Sequence, residues 1–151
     1  MNRKVHYEGI EFDSGEELRY YILLLADKNV SCIHRQVRLC LIKPLYVLVP
    51  KALKTKVKWV KRSLVKGHYY TADFVFFENG KLVICDVKSE YTSKLREFSI
   101  TMKNCISLIV KHNLKRHHGE AKVIFRKAIY KNSKTLRIVD YPSDGEKVIY
   151  E

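Results

Sequence analysis

A chain of 151 residues suits one domain, and a hydrophobic content of 46% is enough for a real core. No window is apolar for long enough to span a membrane, and the N-terminus lacks the apolar run of a signal peptide. We therefore expect a single domain over residues 1–151, in the cytoplasm and with no membrane partner. The net charge of +13 predicts a polyanionic partner, most often nucleic acid. The four cysteines form no Cys-x-x-Cys pair, which argues against zinc.

The first part of the chain predicts one helix followed by strands. Ser14 with Glu17 three residues later is a capping-box arrangement, which predicts a helix from this point to about Asp27. Residues 30–42 are rich in β-branched and apolar side chains and predict a strand that ends before Pro44. Residues 45–49 predict a second strand or a continuation of the first.

The segment Lys51–Lys66 is basic throughout. It contains seven Lys or Arg residues and no acid. Residues 55–59 alternate like a strand, with Val57 and Trp59 on one side and lysines on the other. Such a ribbon suits the phosphates of nucleic acid. The candidate DNA contacts in it are Lys54, Lys56, Lys58, Lys61 and Arg62. We expect Trp59 to be an anchor in the core or at a sheet edge, with base stacking as the alternative.

Asn79-Gly80 stands between two apolar runs and predicts a β-hairpin, because both central residues of a type I′ turn need φ > 0. With these residues as the loop, Asp73 lies opposite Asp86, with Cβ atoms roughly 5 Å apart. Lys88 shares that face of the strand. Facing carboxylates in a buried hairpin are destabilising unless they are compensated, and a divalent cation would compensate them. Two alternatives need no cation. In one, an aspartate is protonated; in the other, Lys88 neutralises both aspartates in a structural ion pair.

The rest of the chain predicts a helix, a strand and a tail. Residues 93–113 show apolar side chains at helical spacing, and residues 122–129 form another apolar strand. The turn-rich tail, 131–151, is either loosely ordered or adds an edge strand. The hairpin is apolar on both faces, which is typical of strands covered by helices. We therefore predict an α/β fold with a mixed central β-sheet flanked by helices on both faces and a core at about residues 7–130.

Asp73 followed by Asp86-Val87-Lys88, with an acid in an upstream helix, resembles the PD-(D/E)XK nuclease superfamily and its restriction-endonuclease-like core. The resemblance covers roughly residues 7–111, through matches at 9–17, 36, 70–74, 78–81 and 86–88. In that order the matches look like a family of small bacteriophage endonucleases, long catalogued as a domain of unknown function. Holliday junction resolvases share the same layout. The chain departs in two places, with Ala72 for the usual proline and Asp86 for the usual Glu.

The resemblance implies a metal-dependent endonuclease that uses Mg²⁺, for which Mn²⁺ substitutes. The implied metal ligands are Glu17, Asp73, Asp86 and the main-chain carbonyl of Val87. Lys88 is the implied catalytic lysine, and Glu16 competes with Glu17 for the place of the helix acid. Gln36 is implied to contact the metal's water or DNA, and Lys103 to hold the scissile phosphate.

Branched DNA is the favoured substrate, as for a Holliday junction resolvase in DNA recombination. The chain shows no added sequence-reading domain, so we expect it to read shape and phosphates. Resolvases of this size act as homodimers, and a phage-encoded enzyme would work in the bacterial host's cytoplasm. The alternatives are a sequence-specific or transposase-type endonuclease, a catalytically inactive nucleic-acid-binding module, and RNA as the substrate.

Overall fold

The structure is a computed structural model that describes residues 3–93, 96–132 and 134–149. Within these residues the helices are α1 (Gly15–Ala26), α2 (Glu90–Ser93) and α3 (Arg96–Lys115). The strands are β1 (Val5–Tyr7), β2 (Ile10–Phe12), β3 (Val30–Ile42), β4 (Leu45–Ala52), β5 (Val57–Val65), β6 (His68–Glu78), β7 (Lys81–Ser89), β8 (Val123–Lys131) and β9 (Thr135–Tyr141). The helix predicted over residues 93–113 corresponds to α3, and residues 94 and 95 lie outside the described part.

The main element is a five-stranded sheet in the order β3-β6-β7-β8-β9. Strands β6 and β7 are antiparallel, β7 and β8 are parallel, and β8 and β9 are antiparallel. The predicted α/β class with a mixed central sheet is therefore confirmed. Of the two alternatives for the tail, the edge strand is the one found, because β9 ends the sheet.

The predicted hairpin forms with the predicted register. Asn79 and Gly80 both have positive φ, 50° and 79°, as the turn requires. The paired positions run from Glu78 opposite Lys81 to Phe74 opposite Cys85. In this register Asp73 and Asp86 are the next two positions, one on each strand.

Helix α1 begins at the predicted cap. Ser14 has an extended backbone, and its Oγ accepts a hydrogen bond from the Glu17 N–H at 3.2 Å. Farther along the helix, Tyr20 and Leu24 are buried in one core cluster with Phe74 of β6. The ring centroids of Tyr20 and Phe74 are 5.8 Å apart. This packing fixes the first turn of α1 beside the strand that carries Asp73.

The chain divides into two compact units. The sheet unit comprises Met1–Val37 and Thr71–Glu151, and the ribbon unit comprises Arg38–Tyr70. The ribbon unit contains the antiparallel pair β4–β5, in which Pro50 lies opposite Trp59. That the whole chain, residues 1–151, forms a single domain stays a prediction.

The basic segment covers the end of β4, the connection and β5, and the strand predicted over residues 55–59 begins only at Val57. From there it alternates as predicted, because Lys58 is one position out of phase with Val57 and Trp59. The expectation that Trp59 is anchored in the core is wrong, since its side chain is 62% exposed. Alternation specifies which side of a strand a residue faces, but it does not specify whether another layer covers that side. No helix in the described residues has the length and apolar character needed to cross a membrane.

Candidate functional site

A polar cavity of about 300 Å³ lies in the sheet unit, between the first turn of α1 and the ends of β6 and β7. Its lining residues are Asp13, Ser14, Glu16, Glu17, Gln36, Thr71, Asp73, Val87, Lys88, Ser89 and Thr92. Four of these carry carboxyl groups, and Lys88 supplies a cation. The cavity therefore gathers hard oxygen ligands and one positive charge around a space large enough for several waters.

Glu17 supplies its backbone to the helix cap and its carboxyl group to the cavity. The side chain is buried, with 6% of the residue exposed. Burial raises the pKa of Glu17 to about 8, and the charges of Asp73 and Asp13 add to the rise. Glu17 and Asp73 both line this cavity, so the two acids lie close together. Glu16 pairs instead with Arg19, at 3.5 Å, so Glu17 is the acid that lies against Asp73.

Asp73 is held by the neighbouring strand. Its Oδ2 accepts a hydrogen bond from the backbone N–H of Val87 at 2.8 Å. The residue is buried, so this bond is shielded from competition with water. The bond joins the two strands just beyond the last pair of the ladder and fixes one carboxylate oxygen of Asp73 at the cavity wall.

Asp86 occupies a different environment from Asp73. It is only 2% exposed, and its Oδ2 lies 3.8 Å from Nζ of Lys88. Its register partner on the parallel strand β8 is Lys127. On α3, burial raises the pKa of Cys105 to about 11, and the negative charge of Asp86 adds to this rise. Asp86 thus lies among two lysines and α3.

The predicted set of three acidic metal ligands is not assembled as one group. The cavity lining includes Glu17 and Asp73 but not Asp86. Within the part of the chain that the structure describes, no three His, Cys, Asp or Glu side chains form a group that could hold a metal ion. The structure brings Glu17 to Asp73 and Lys88 to Asp86, as two adjoining pairs.

The Glu17–Asp73 pair has the character of a divalent cation site. With a pKa of about 8, the Glu17 carboxyl group keeps a proton at neutral pH when no cation is bound. Glu17 Oε2 is buried and accepts no hydrogen bond from the described residues. A cation would take the place of the proton and satisfy this oxygen. Mg²⁺ is commonly held by one or two carboxylates plus waters, so these residues fit it.

The other residues predicted to contact the metal's water or DNA lie in different places in the structure. Gln36 lines the cavity and has φ 51°, an uncommon backbone conformation for a residue with a side chain. Lys103 is exposed on α3 and does not line the cavity. The five candidate DNA contacts of the basic segment are all exposed in the ribbon unit.

Sequence reasoning missed several residues around the site. Asp13, Thr71, Ser89 and Thr92 line the cavity, and Lys127 lies beside Asp86. Ser89 Oγ accepts a hydrogen bond from the Thr92 N–H at 3.2 Å, which is the spacing of a helix cap. That spacing, directly after Lys88, is a signal that could have identified both hydroxyls. Lys127 had no such signal, because the parallel register of β7 and β8 is not visible in the sequence.

Comparison with known proteins gives one match. No curated protein and no solved structure matches the chain. The family model described as "Protein of unknown function (DUF1064)" matches residues 1–110. This range contains every residue that lines the cavity, together with Asp86. The chain therefore belongs to the DUF1064 family.

Proposed function

We propose that this protein is a Mg²⁺-dependent DNA endonuclease of the PD-(D/E)XK class that hydrolyses phosphodiester bonds in branched DNA. The observation that carries the proposal is the buried pair of acids, Glu17 and Asp73, in a polar cavity that Lys88 also lines. A buried pair of acids is unfavourable for a structural role alone and favourable for binding a cation.

Glu17, Asp73 and the main-chain carbonyl of Val87 would hold the cation. When bound, Mg²⁺ neutralises the negative charge that develops on the phosphate during hydrolysis. The role of Asp86 as a further ligand stays a prediction from the resemblance. Its position supports a second role, which is to hold the Lys88 ammonium at the cavity wall.

Lys88 acts on the phosphate by its charge. Its side chain lines the cavity and is 30% exposed, so it is open to a bound phosphate group. A fixed cation next to the scissile bond stabilises the charge that increases in the transition state. Gln36 lines the same cavity and has amide donors that can orient the phosphate or a water.

The ribbon unit supports a polyanionic substrate. It has nine Lys or Arg and no Asp or Glu, a net charge of +9, against +4 for the other residues with twenty Lys or Arg and sixteen Asp or Glu. All nine cations are exposed, so they are available to phosphates. Binding through phosphates reads the path of the backbone rather than the base sequence, which suits a junction.

Three finer features belong to the same proposal. The sheet forms a restriction-endonuclease-like core with α1 and α3 on opposite faces. In support, Tyr20 of α1 packs with Phe74 and Cys85, whereas Cys105 of α3 is close enough to Asp86 to respond to its charge. Along β7, Cys85 and Asp86 point to opposite faces.

The enzyme works as a homodimer on a junction, in the cytoplasm of a bacterial host.

One observation favours a second function, nucleic-acid binding without catalysis. The described residues contain no ready group of three metal-binding side chains. In that case the protein would bind branched DNA through the ribbon unit, and the acidic pair would keep its proton at neutral pH.

A cleavage panel separates the two functions. The wild-type protein is incubated in Mg²⁺ with a four-way junction, a fork, a linear duplex and single-stranded RNA. We expect the junction and the fork to be cut, and cutting to stop in EDTA. Asp73→Asn keeps an acceptor for the Val87 N–H but removes the charge, so it should abolish cutting and leave DNA binding intact. Glu120→Gln, in an exposed turn, is the matched control and should cut normally. Equal behaviour of wild type and Asp73→Asn on all four substrates would overturn the enzyme proposal.

A further inference from the structure

The ribbon formed by β4 and β5 has two chemically different faces. One face, here named the aromatic face, is formed by Tyr46, Leu48, Pro50, Ala52, Val57, Trp59, Lys61 and Ser63. The alternate positions form the other face, named the cationic face, and are Val47, Val49, Lys51, Lys58, Val60 and Arg62. The three valines of the cationic face are half-buried, whereas its three cations are exposed.

The aromatic face is open to solvent. Tyr46, Leu48, Val57 and Trp59 are each more than half exposed, and Trp59 is 62% exposed. Burying an indole removes about 150–250 Å² from water, so its exposure is unfavourable until a partner covers it. The Lys61 ammonium lies 3.9 Å from the centroid of the Tyr46 ring and so covers part of this ring. Trp59 is therefore the more open of the two aromatic side chains on this face.

Charge decides which partner fits. A second copy of the chain would bring another ribbon unit of net charge +9 against the first, and like charges oppose that contact. A nucleic acid offers both required features, since its phosphates complement the lysines and its bases have flat π-faces that stack on aromatic rings. Paired bases hide these faces inside the duplex. Unpaired bases, as in single strands and at branch points, expose them.

We propose that Trp59 stacks on an unpaired base of branched or single-stranded DNA while exposed lysines of the ribbon unit hold the phosphates. This inference rests on the nucleic-acid part of the proposed function and adds a reason for preferring branched DNA over plain duplex. The stacking contact is independent of base identity, because every base has a π-face. It is also independent of the metal, because the acidic pair lies in the other unit of the chain.

The fluorescence of Trp59 tests the inference directly, because it is the single tryptophan of the chain. The wild-type protein is titrated in EDTA, which prevents cleavage, with a forked DNA, a single strand and a duplex of the same length. Stacking quenches indole emission, so we expect strong quenching by the fork and the single strand and little by the duplex. Quenching by none of the three, or equal quenching by all, would overturn the proposal.

Variants at the same position provide the second measurement. Trp59→Leu should weaken binding of the fork by about tenfold, since one stacked base is worth about 1–3 kcal/mol. The same variant should change duplex binding by less than about twofold, and Trp59→Tyr should restore most of the fork affinity. Fluorescence anisotropy of labelled DNA measures all three. An equal loss on fork and duplex would contradict stacking and indicate a structural role for Trp59.

Other partners give different results in the same assay. A blue shift of emission that depends on protein concentration without DNA would indicate a second copy on the aromatic face and overturn the proposal. A blue shift with phosphatidylserine vesicles and no response to DNA would do the same in favour of a membrane surface. If the fork quenches Trp59 but nothing is cut in Mg²⁺, catalysis fails and the stacking inference stands. If the fork is cut in Mg²⁺ but does not quench the emission of Trp59, the stacking inference fails and the proposed enzyme stands.

Discussion

The sheet unit and the ribbon unit place their charged residues in opposite ways. Among the described residues, the sheet unit mixes acids and bases and buries four ionisable side chains, namely Glu17, Asp73, Asp86 and Arg126. The ribbon unit has cations alone, and every one of them is exposed. Buried charges act strongly over short distances, whereas exposed charges act over about 10 Å and are screened by salt.

In the proposed nuclease, this difference separates two tasks. Binding a cation and stabilising a transition state need fixed charges out of water, and the sheet provides them. Capturing a polyanion needs exposed charges that many phosphates can reach, and the ribbon provides these. Changes in the sheet unit should therefore affect catalysis or stability, and changes in the ribbon unit should affect binding and its dependence on salt.

The largest expected effect is on catalysis, at Lys88. Lys88→Met should lower the single-turnover rate of junction cleavage by about 10²–10³-fold, because a fixed charge at the reacting phosphate is lost. DNA affinity should stay within about threefold of wild type. Lys111→Met, an exposed lysine of α3, is the matched control. A similar loss in both variants would show that Lys88 has no special role.

The next effect is on stability, at Arg126. Its guanidinium donates to Glu78 at 3.0 and 2.6 Å and to Asp140 at 2.8 and 3.1 Å. Arg126→Met would leave both carboxylates partly buried without their partner, so the free energy of unfolding should fall by about 3 kcal/mol or more. Urea denaturation measures this loss, and Arg137→Met, at an exposed position, should be nearly neutral. A neutral Arg126→Met would contradict the importance of buried charge in the sheet unit.

The acidic pair should make the metal-free protein less stable as the pH rises. Glu17 has a pKa of about 8 in the folded protein and 4.5 as its ordinary value. Between these values the folded state keeps a proton that the unfolded state has lost, so the free energy of unfolding falls from pH 4.5 to pH 8. The slope is at most about 1.4 kcal/mol per pH unit.

Urea denaturation in EDTA at pH 5 and pH 8 measures the slope that Glu17 causes. Glu17→Gln should flatten it, because glutamine does not titrate. Adding Mg²⁺ at pH 8 should recover stability in the wild type and not in the variant. An unchanged slope in Glu17→Gln would show that another group causes it.

The smallest expected effect is that of removing ribbon charges. Replacing Lys54, Lys56 and Lys58 by alanine should make the salt dependence of DNA binding shallower by up to about 0.9 per lost phosphate contact. The cleavage rate at saturating DNA should stay near that of wild type. Replacing Lys111, Lys115 and Lys131 in the sheet unit removes the same charge and should change the slope less. A larger change in the slope for the sheet-unit variant would contradict the assignment of phosphate binding to the ribbon unit.

Local signals predicted the local structure. The Asn79-Gly80 turn defined the register of β6 and β7, and Ser14 located the start of α1, because both depend on a few neighbouring residues. The meeting of Glu17 with Asp73 followed from the family resemblance, since nothing local connects a helix cap to a strand end.

The features that sequence reasoning missed depend on distant parts of the chain. The parallel pairing of Asp86 with Lys127 requires a crossover connection through α3, and no short motif specifies its register. The exposure of Trp59 depends on whether another layer covers the ribbon, which an alternating pattern does not reveal. The separation of Asp86, which pairs with Lys88, from the Glu17–Asp73 pair depends on side-chain directions on α1, β6 and β7.

Diffraction from Mn²⁺-soaked crystals of the wild-type protein tests the proposed centre most directly, because Mn²⁺ has an anomalous signal and prefers the same oxygen ligands as Mg²⁺. We expect an anomalous peak in the cavity within bonding distance of the Glu17 and Asp73 carboxylates, and no peak there in Asp73→Asn. A saturated soak with no peak at these residues, or with its strongest peak elsewhere, would contradict the assignment of this cavity as the metal centre of a nuclease.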